Sequence, residues 1–304
     1  MRWLRSVTAV FMAFVLLSIS GCAWLDVKQR ELIYRPTPGV PADFAGLRAG
    51  NERYFLSVVP PACETRCDAS KADAPGQTEQ RIEIWWLPHA DKAAPTLLYF
   101  HGTFRTLAQN MPKIVALRQA GFAILAVEYR GWGLSTPITP SEQSIVQDAD
   151  AAWAELQRRE PRTQLRVIYG HSMGSGVAVD VASRLHGGSD YGALILESAF
   201  TSFHDIARSA GFLAGLAAYA TNERFASDEK IARIDAPLLM IHGSADTTIP
   251  MPLGEKLFAA ARPPKQWLAI EGGEHSDLQD SGQAQYQAVL QGFIKQYLAA
   301  KQAP

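Results

Sequence analysis

The sequence predicts an α/β fold: a mainly parallel sheet covered by helices on both faces, with a small cap segment. Three observations carry this. Short apolar runs alternate with helical stretches, as in Ala123–Glu128, a helix around Ile145–Arg159, then Leu165–Tyr169, which is the pattern of a parallel sheet buried on both sides. One such run, Val167-Ile168-Tyr169, ends in Gly170-His171-Ser172-Met173-Gly174 and turns straight into a helix. Two later runs end in loops that carry an aspartate and a histidine, and in open parallel sheets reacting groups collect at the C-terminal strand ends. With 304 residues, 47% apolar content and a net charge of −1, the chain suits one large domain with a buried core. No basic patterning points to nucleic acid, and no internal repeat is present.

In chain order, the N-terminus comes first. Arg2 and Arg5 precede an apolar run from Val7 to Ile19, followed by Ser20-Gly21-Cys22. A basic start, a short apolar stretch and small residues before a cleavage point predict a signal peptide over residues 1–21. The run is short for a membrane span. Ile19-Ser20-Gly21-Cys22 resembles a bacterial lipobox, which implies lipidation of Cys22 and an exported lipoprotein on the periplasmic side. Ala23 at the next position implies the outer membrane under the same resemblance. A plain signal anchor and a soluble secreted form are the other readings. Residues 22–52 are expected to tether a catalytic domain at 53–304 to the bilayer.

Strands near Arg53–Val59 and Arg81–Leu87 are expected to form an antiparallel hairpin at one sheet edge. Between them lie Cys63 and Cys67, which form either a small disulfide loop in an oxidising compartment or two free thiols. No further ligand stands at metal-binding spacing, so neither a metal nor a cofactor is expected. Leu97–Phe100 is a buried strand entering His101-Gly102-Thr103. The N–H groups of Thr103 and Met173 are expected to form an oxyanion hole, the second aided by a helix N-terminus.

The Gly-x-Ser-x-Gly turn makes Ser172 the candidate nucleophile. A tight turn holds a serine hydroxyl, weak by itself, where a base can reach it. The strand Pro237–Gly243 leads into a loop with Asp246, before a helix opened near Pro250 and Pro252. The strand Gln266–Ile270 leads into a glycine-rich loop with His275. Serine, acid and histidine thus follow in chain order at the same sheet edge. Of seven histidines, His89 and His186 read as surface residues, and His101 and His242 as backbone-bonding residues at strand ends. His171, the variable residue of the turn, is expected to point away from the reaction. His204, in the cap segment, is the one rival base. Asp246 is the expected acid; Glu197 competes but is read as an anchor for its own loop, and Asp277 is too near His275 in chain.

Residues 201–235 separate two core strands and form either a cap over the site or an ordinary crossover helix. Their apolar stretch Gly211–Tyr219, with Phe104 and Leu134, hints at an apolar acyl group. Together, Tyr99-Phe100-His101-Gly102, Glu128–Ser135, Gly170–Gly174, His242-Gly243-x-x-Asp246-x-x-Ile249-Pro250 and Gly273-x-His275 resemble the alpha/beta hydrolase superfamily. They are most similar to its serine aminopeptidase and monoglyceride-lipase-like subgroup. The resemblance covers about residues 80 to 300. It implies Ser172 as nucleophile, Asp246 as acid and His275 as base, with Thr103 and Met173 supplying the oxyanion N–H groups. The expected activity is serine hydrolysis of small-molecule or lipid carboxylic esters. A peptidase, a thioesterase and a catalytically silent envelope lipoprotein are the alternatives on this fold.

Overall fold

The computed structural model describes residues 24–58, 79–211, 215, 218 and 221–298. Residues 1–23 fall outside this range, and with them the expected signal peptide and Cys22; so do residues 59–78, with Cys63 and Cys67.

Eight strands form one sheet. They are β1 (Glu52–Val58), β2 (Gln80–Leu87), β3 (Thr96–Phe100), β4 (Ala123–Glu128), β5 (Arg166–His171), β6 (Ala193–Glu197), β7 (Leu238–Gly243) and β8 (Lys265–Ile270). Their spatial order is β1-β2-β4-β3-β5-β6-β7-β8. The β1–β2 hairpin is antiparallel and joins the rest through an antiparallel β2–β4 pair. All remaining pairs are parallel. The predicted α/β class and edge hairpin are both present, with strand ends within a residue or two of expectation.

Successive side chains on a strand point to opposite faces, and here both faces are buried. Leu98, Phe100, Ile168, Leu194, Leu196 and Met240 pack into one core. Leu97, Tyr99, Val167, Tyr169, Ile195 and Leu239 pack into the other. That explains why the central strands read as unbroken apolar runs.

Residues 24–34 form a first helix, α1, and α2 (Met111–Gln119) packs with the C-terminal helix Gln283–Phe293 on the second core. Helix α3 (Glu142–Arg159) starts three residues before the predicted segment. Ser141 sets that start, accepting the Ser144 N–H in a reciprocal capping box. Its stripe of Ile145, Ala149, Ala152 and Leu156 is buried on the first core at helical spacing. Next come α4 (Met173–Ser183) and α5 (Phe203–Ser209).

The segment expected only to tether the domain also folds onto it. Tyr34 is fully buried and its hydroxyl donates to Glu223. Pro38 bridges to Gly133, and Phe44 stacks on Trp85 at 5.2 Å. Apolar side chains at Ile33, Tyr34, Phe44 and Leu47 gain cover from the domain that water would deny them.

Candidate active site

Strand β5 ends at His171, and Ser172 stands between strand and helix with φ 55° and ψ −126°. This left-handed backbone is costly for a non-glycine residue, by about 1–3 kcal/mol. Two bonds help hold it. The Ser172 N–H donates to the Glu197 carbonyl at 3.0 Å, and the Ser175 N–H to the Ser172 carbonyl at 2.8 Å. Strand and helix cross so closely that a Cβ on Gly170 would strike the Gly174 carbonyl, and one on Gly174 the carbonyl of Phe100. Both flanking glycines of the motif therefore answer to close approach.

His275 reaches this turn from the loop after β8. Its Nε2 lies 2.9 Å from the Ser172 hydroxyl and its Nδ1 2.8 Å from Asp246 Oδ2. With Asp246 ionised, Nδ1 carries the proton and donates, so Nε2 accepts from the serine O–H. The other Asp246 oxygen accepts the N–H groups of Thr248 at 2.9 Å and Ile249 at 2.8 Å. Burial opposes ionisation of Asp246, but the bond from His275, the charge that ring carries when protonated, and the Ile249 N–H together hold the carboxyl below its ordinary 3.8. The three residues picked from sequence are thus one hydrogen-bonded chain.

Corrections concern their neighbours. His171 does not point away: its ring centroid lies 5.1 Å from that of His275, and its Nε2 is 2.8 Å from the His275 carbonyl. Burial first, then the nearby Lys113 charge, pushes the His171 imidazole well below its ordinary 6.5. Neutral His171 donates from Nε2, and Ser198 Oγ donates to the same carbonyl at 3.2 Å. Two groups thereby fix the main chain of His275. No sequence motif marks this support; it arises because the β8 loop folds over the end of β5.

Glu197 is also more than a loop anchor. Its side chain is fully buried, paired with Lys113, and accepts the hydroxyls of Tyr169 at 2.7 Å and Tyr286 at 2.9 Å. None of these donors is His275. Asp277 accepts the Glu274 N–H at 2.7 Å and so shapes its own turn. His204 lines the cavity beside Ser172, whose hydroxyl is engaged by His275. His101 and His242 bond backbone carbonyls, Gly102 at 2.6 Å and Ile249 at 2.9 Å, as expected.

Thr103 and Met173 are buried and both line the cavity at Ser172. The Thr103 loop is pinned from behind, since the Trp132 indole N–H donates to the Thr103 carbonyl at 3.0 Å. The Glu128–Ser135 motif thus reaches the site through its tryptophan. A Cβ on Gly102 would stand 2.9 Å from that of Ser172, so loop and turn are in close contact.

A cavity of about 390 Å³ opens at Ser172. Leu32 and Ile33 of α1, Phe104, Phe200, and Phe203 and Ile206 of α5 make its walls apolar. Helix α5 has no fully buried residue and faces this cavity, the position of a cap. Part of the predicted apolar stretch, at 212–214, 216–217 and 219, lies outside the described residues. Among the described residues no cluster of three His, Cys, Asp or Glu side chains is arranged to hold a metal.

Residues 91–227 match the family described as serine aminopeptidase, S33. An uncharacterized protein of Mycobacterium tuberculosis (strain ATCC 25618 / H37Rv) is 32% identical over 276 residues, 87% of each chain. The chain belongs to the S33 serine aminopeptidase-like family of alpha/beta hydrolases. Another member of the comparison, the lysophosphatidylserine lipase ABHD12 of Danio rerio, is 35% identical over 192 residues, 58% of this chain and 50% of that protein. Among solved structures, the Pyrococcus furiosus esterase PF2001 superposes with a TM-score of 0.65 over 86% of this chain and 97% of its own, at 14% identity. At that identity the superposition speaks for the alpha/beta hydrolase fold alone.

Proposed function

We propose that this hydrolase cleaves carboxylic esters with apolar acyl groups, using Ser172, His275 and Asp246. The observation that carries the reading is the Asp246–His275–Ser172 hydrogen-bonded chain opening on an apolar cavity. His275 Nε2 takes the hydroxyl proton as Ser172 Oγ attacks the ester carbonyl. Negative charge on the former carbonyl oxygen meets the N–H groups of Thr103 and Met173, the latter at the N-terminus of α4. The leaving alcohol receives the proton from His275, which then activates water to release the acid. Buried, ionised Asp246 stabilises the imidazolium formed in each half-reaction. The lysophosphatidylserine lipase among the relatives supports this choice of substrate class.

A peptidase would need a carboxylate in the cap free to receive a substrate amine. Glu223 does line the cavity, but it already accepts the Tyr34 hydroxyl and the Glu142 N–H. Glu229 pairs with Arg224 at 2.6 Å. Turnover of p-nitrophenyl esters of rising chain length, set against aminoacyl anilides, tests the reading. Esters of medium chain should be preferred; a preference for anilides would replace esterase by peptidase.

We also propose that the chain is exported and anchored through lipid on Cys22, in the outer membrane facing the periplasm. The basic start, apolar run and lipobox-like residues support this. Incorporation of an alkyne-tagged fatty acid that survives Cys22→Ser would rule it out. Cys63 and Cys67 would form a disulfide there; alkylation of both without prior reduction would show free thiols instead.

A further inference from the structure

We propose that α1 seats the mouth of the cavity on a phospholipid surface, so that an acyl chain passes from bilayer to Ser172 without crossing bulk water. The proposal rests on the ester-hydrolase reading and adds where the substrate comes from.

Helix α1 has two faces. Tyr34 is buried and Ile33 packs against the core, whereas Trp24, Leu25 and Leu32 are 63%, 51% and 69% exposed. At about 100° per residue these three fall within one arc of roughly 100° on the helix, with the exposed Lys28, paired with Glu31, between them. An exposed face of apolar residues with one lysine among them, on a helix whose opposite side is docked, suits an interfacial helix. Tryptophan at its outer end is the residue type enriched at the membrane–water boundary.

The stripe leads to the site. Leu32 is exposed and also lines the cavity. Phe104 does the same from the loop of Thr103, 48% exposed with the Arg35 guanidinium 4.6 Å above its ring. Two more exposed apolar residues, Val40 and Leu134, flank the Pro38–Gly133 bridge beside them. Of the large exposed apolar side chains among the described residues, only Phe55 and Val115 lie elsewhere. Leu32 and Phe104 stand at the opening itself, and exposed apolar residues gathered at a cavity mouth mark an interaction surface where scattered ones would not.

The occupant is argued from chain continuity. Trp24 stands two residues after Cys22, a reach of about 7 Å at most. Helical rise from Trp24 to Leu32 adds only about 12 Å. A lipid on Cys22 and the cavity mouth would therefore meet one and the same surface.

The full chain is reconstituted in phosphatidylcholine–phosphatidylglycerol vesicles and compared with a Trp24→Asp/Leu25→Asp variant, neither residue lining the cavity. Hydrolysis of water-soluble p-nitrophenyl butyrate should be retained within about twofold, while hydrolysis of a long-chain ester embedded in the vesicles should fall by about tenfold or more. Equal rates on both substrates, or a parallel fall on both, would overturn the proposal, including where the patch proves to bury a second copy of the chain. Were the wild type to cleave neither ester, the esterase reading would fail by itself. The membrane contact is then read from quenching by brominated lipid. Quenching seen in the wild type and lost in Trp24→Phe upholds the contact; its absence in the wild type overturns it.

Discussion

Glu197 offers a sharp separation between a residue that holds the site and one that acts in it. Its carboxylate is fully buried beside Lys113, itself 3% exposed, and it also receives two tyrosine hydroxyls. Glu197→Gln keeps the volume and removes the charge, leaving the Lys113 ammonium with the Gln279 carbonyl oxygen at 2.8 Å. Stranding one member of a buried ion pair costs about 3–5 kcal/mol, a large part of the roughly 5–15 kcal/mol that stabilises a domain. At roughly 2–4 °C per kcal/mol for a large domain, Tm should drop by about 6–20 °C. Turnover per folded molecule, measured well below the transition, should stay within about tenfold, because no Glu197 side-chain atom bonds His275. Adding Lys113→Met should recover part of the lost Tm by removing the stranded charge. An unchanged Tm with abolished turnover would refute this reasoning and make Glu197 the acid in place of Asp246.

Three further outcomes follow from the geometry. Asp246→Asn should fold but lose about 10³–10⁴ in kcat with little change in KM, since the imidazole loses the anion that fixes its tautomer; a loss below tenfold would remove Asp246 from the role. Gly102→Ala would bring a methyl to 2.9 Å from the Ser172 Cβ, displacing the Thr103 loop. Stopped assays should then show about 10²–10³ lower turnover, the worth of one oxyanion donor; full activity would count against a role for Thr103. The third concerns pH. His171 and His242 are held below their ordinary 6.5, chiefly by burial, so the unfolded chain binds protons there that the folded chain refuses. The stability this confers is present above 6.5 and is lost as pH falls from there through the folded values. Each histidine contributes a slope of up to about 1.4 kcal/mol per pH unit in that window. Urea midpoints should fall between about pH 7.5 and 5.5, and less steeply in His171→Asn; identical slopes in both proteins would contradict the assignment.

Ser172, Asp246 and His275 were legible because each follows an apolar strand and sits in a glycine- or turn-marked loop. Local pattern sets both features, and the parallel sheet then delivers all three to one edge. The strands were legible for a related reason, since burial on both faces leaves unbroken apolar runs. What escaped was long-range. Lys113 and Glu197 meet across 84 positions, and neither carries a local sign of its partner. The contact of His171 with His275 depends on how the β8 loop folds over β5, which periodicity does not encode. Helix α1 escaped because its apolar residues stand at its two ends, Trp24 and Leu25 before and Leu32, Ile33 and Tyr34 after the polar run Lys28–Glu31. Such a segment shows no apolar repeat at helical spacing, so residues 24–34 read as connecting chain. The Glu128–Ser135 motif was visible, but its reach to Thr103 through Trp132 needed coordinates.

If Ser172 is a nucleophile activated by His275, a fluorophosphonate probe followed by peptide mass spectrometry will find it. Labelling should be stoichiometric on Ser172 in the wild type, absent in Ser172→Ala and strongly slowed in His275→Ala. Absence of labelling in the wild type, or equal labelling of Ser172→Ala, would contradict that role.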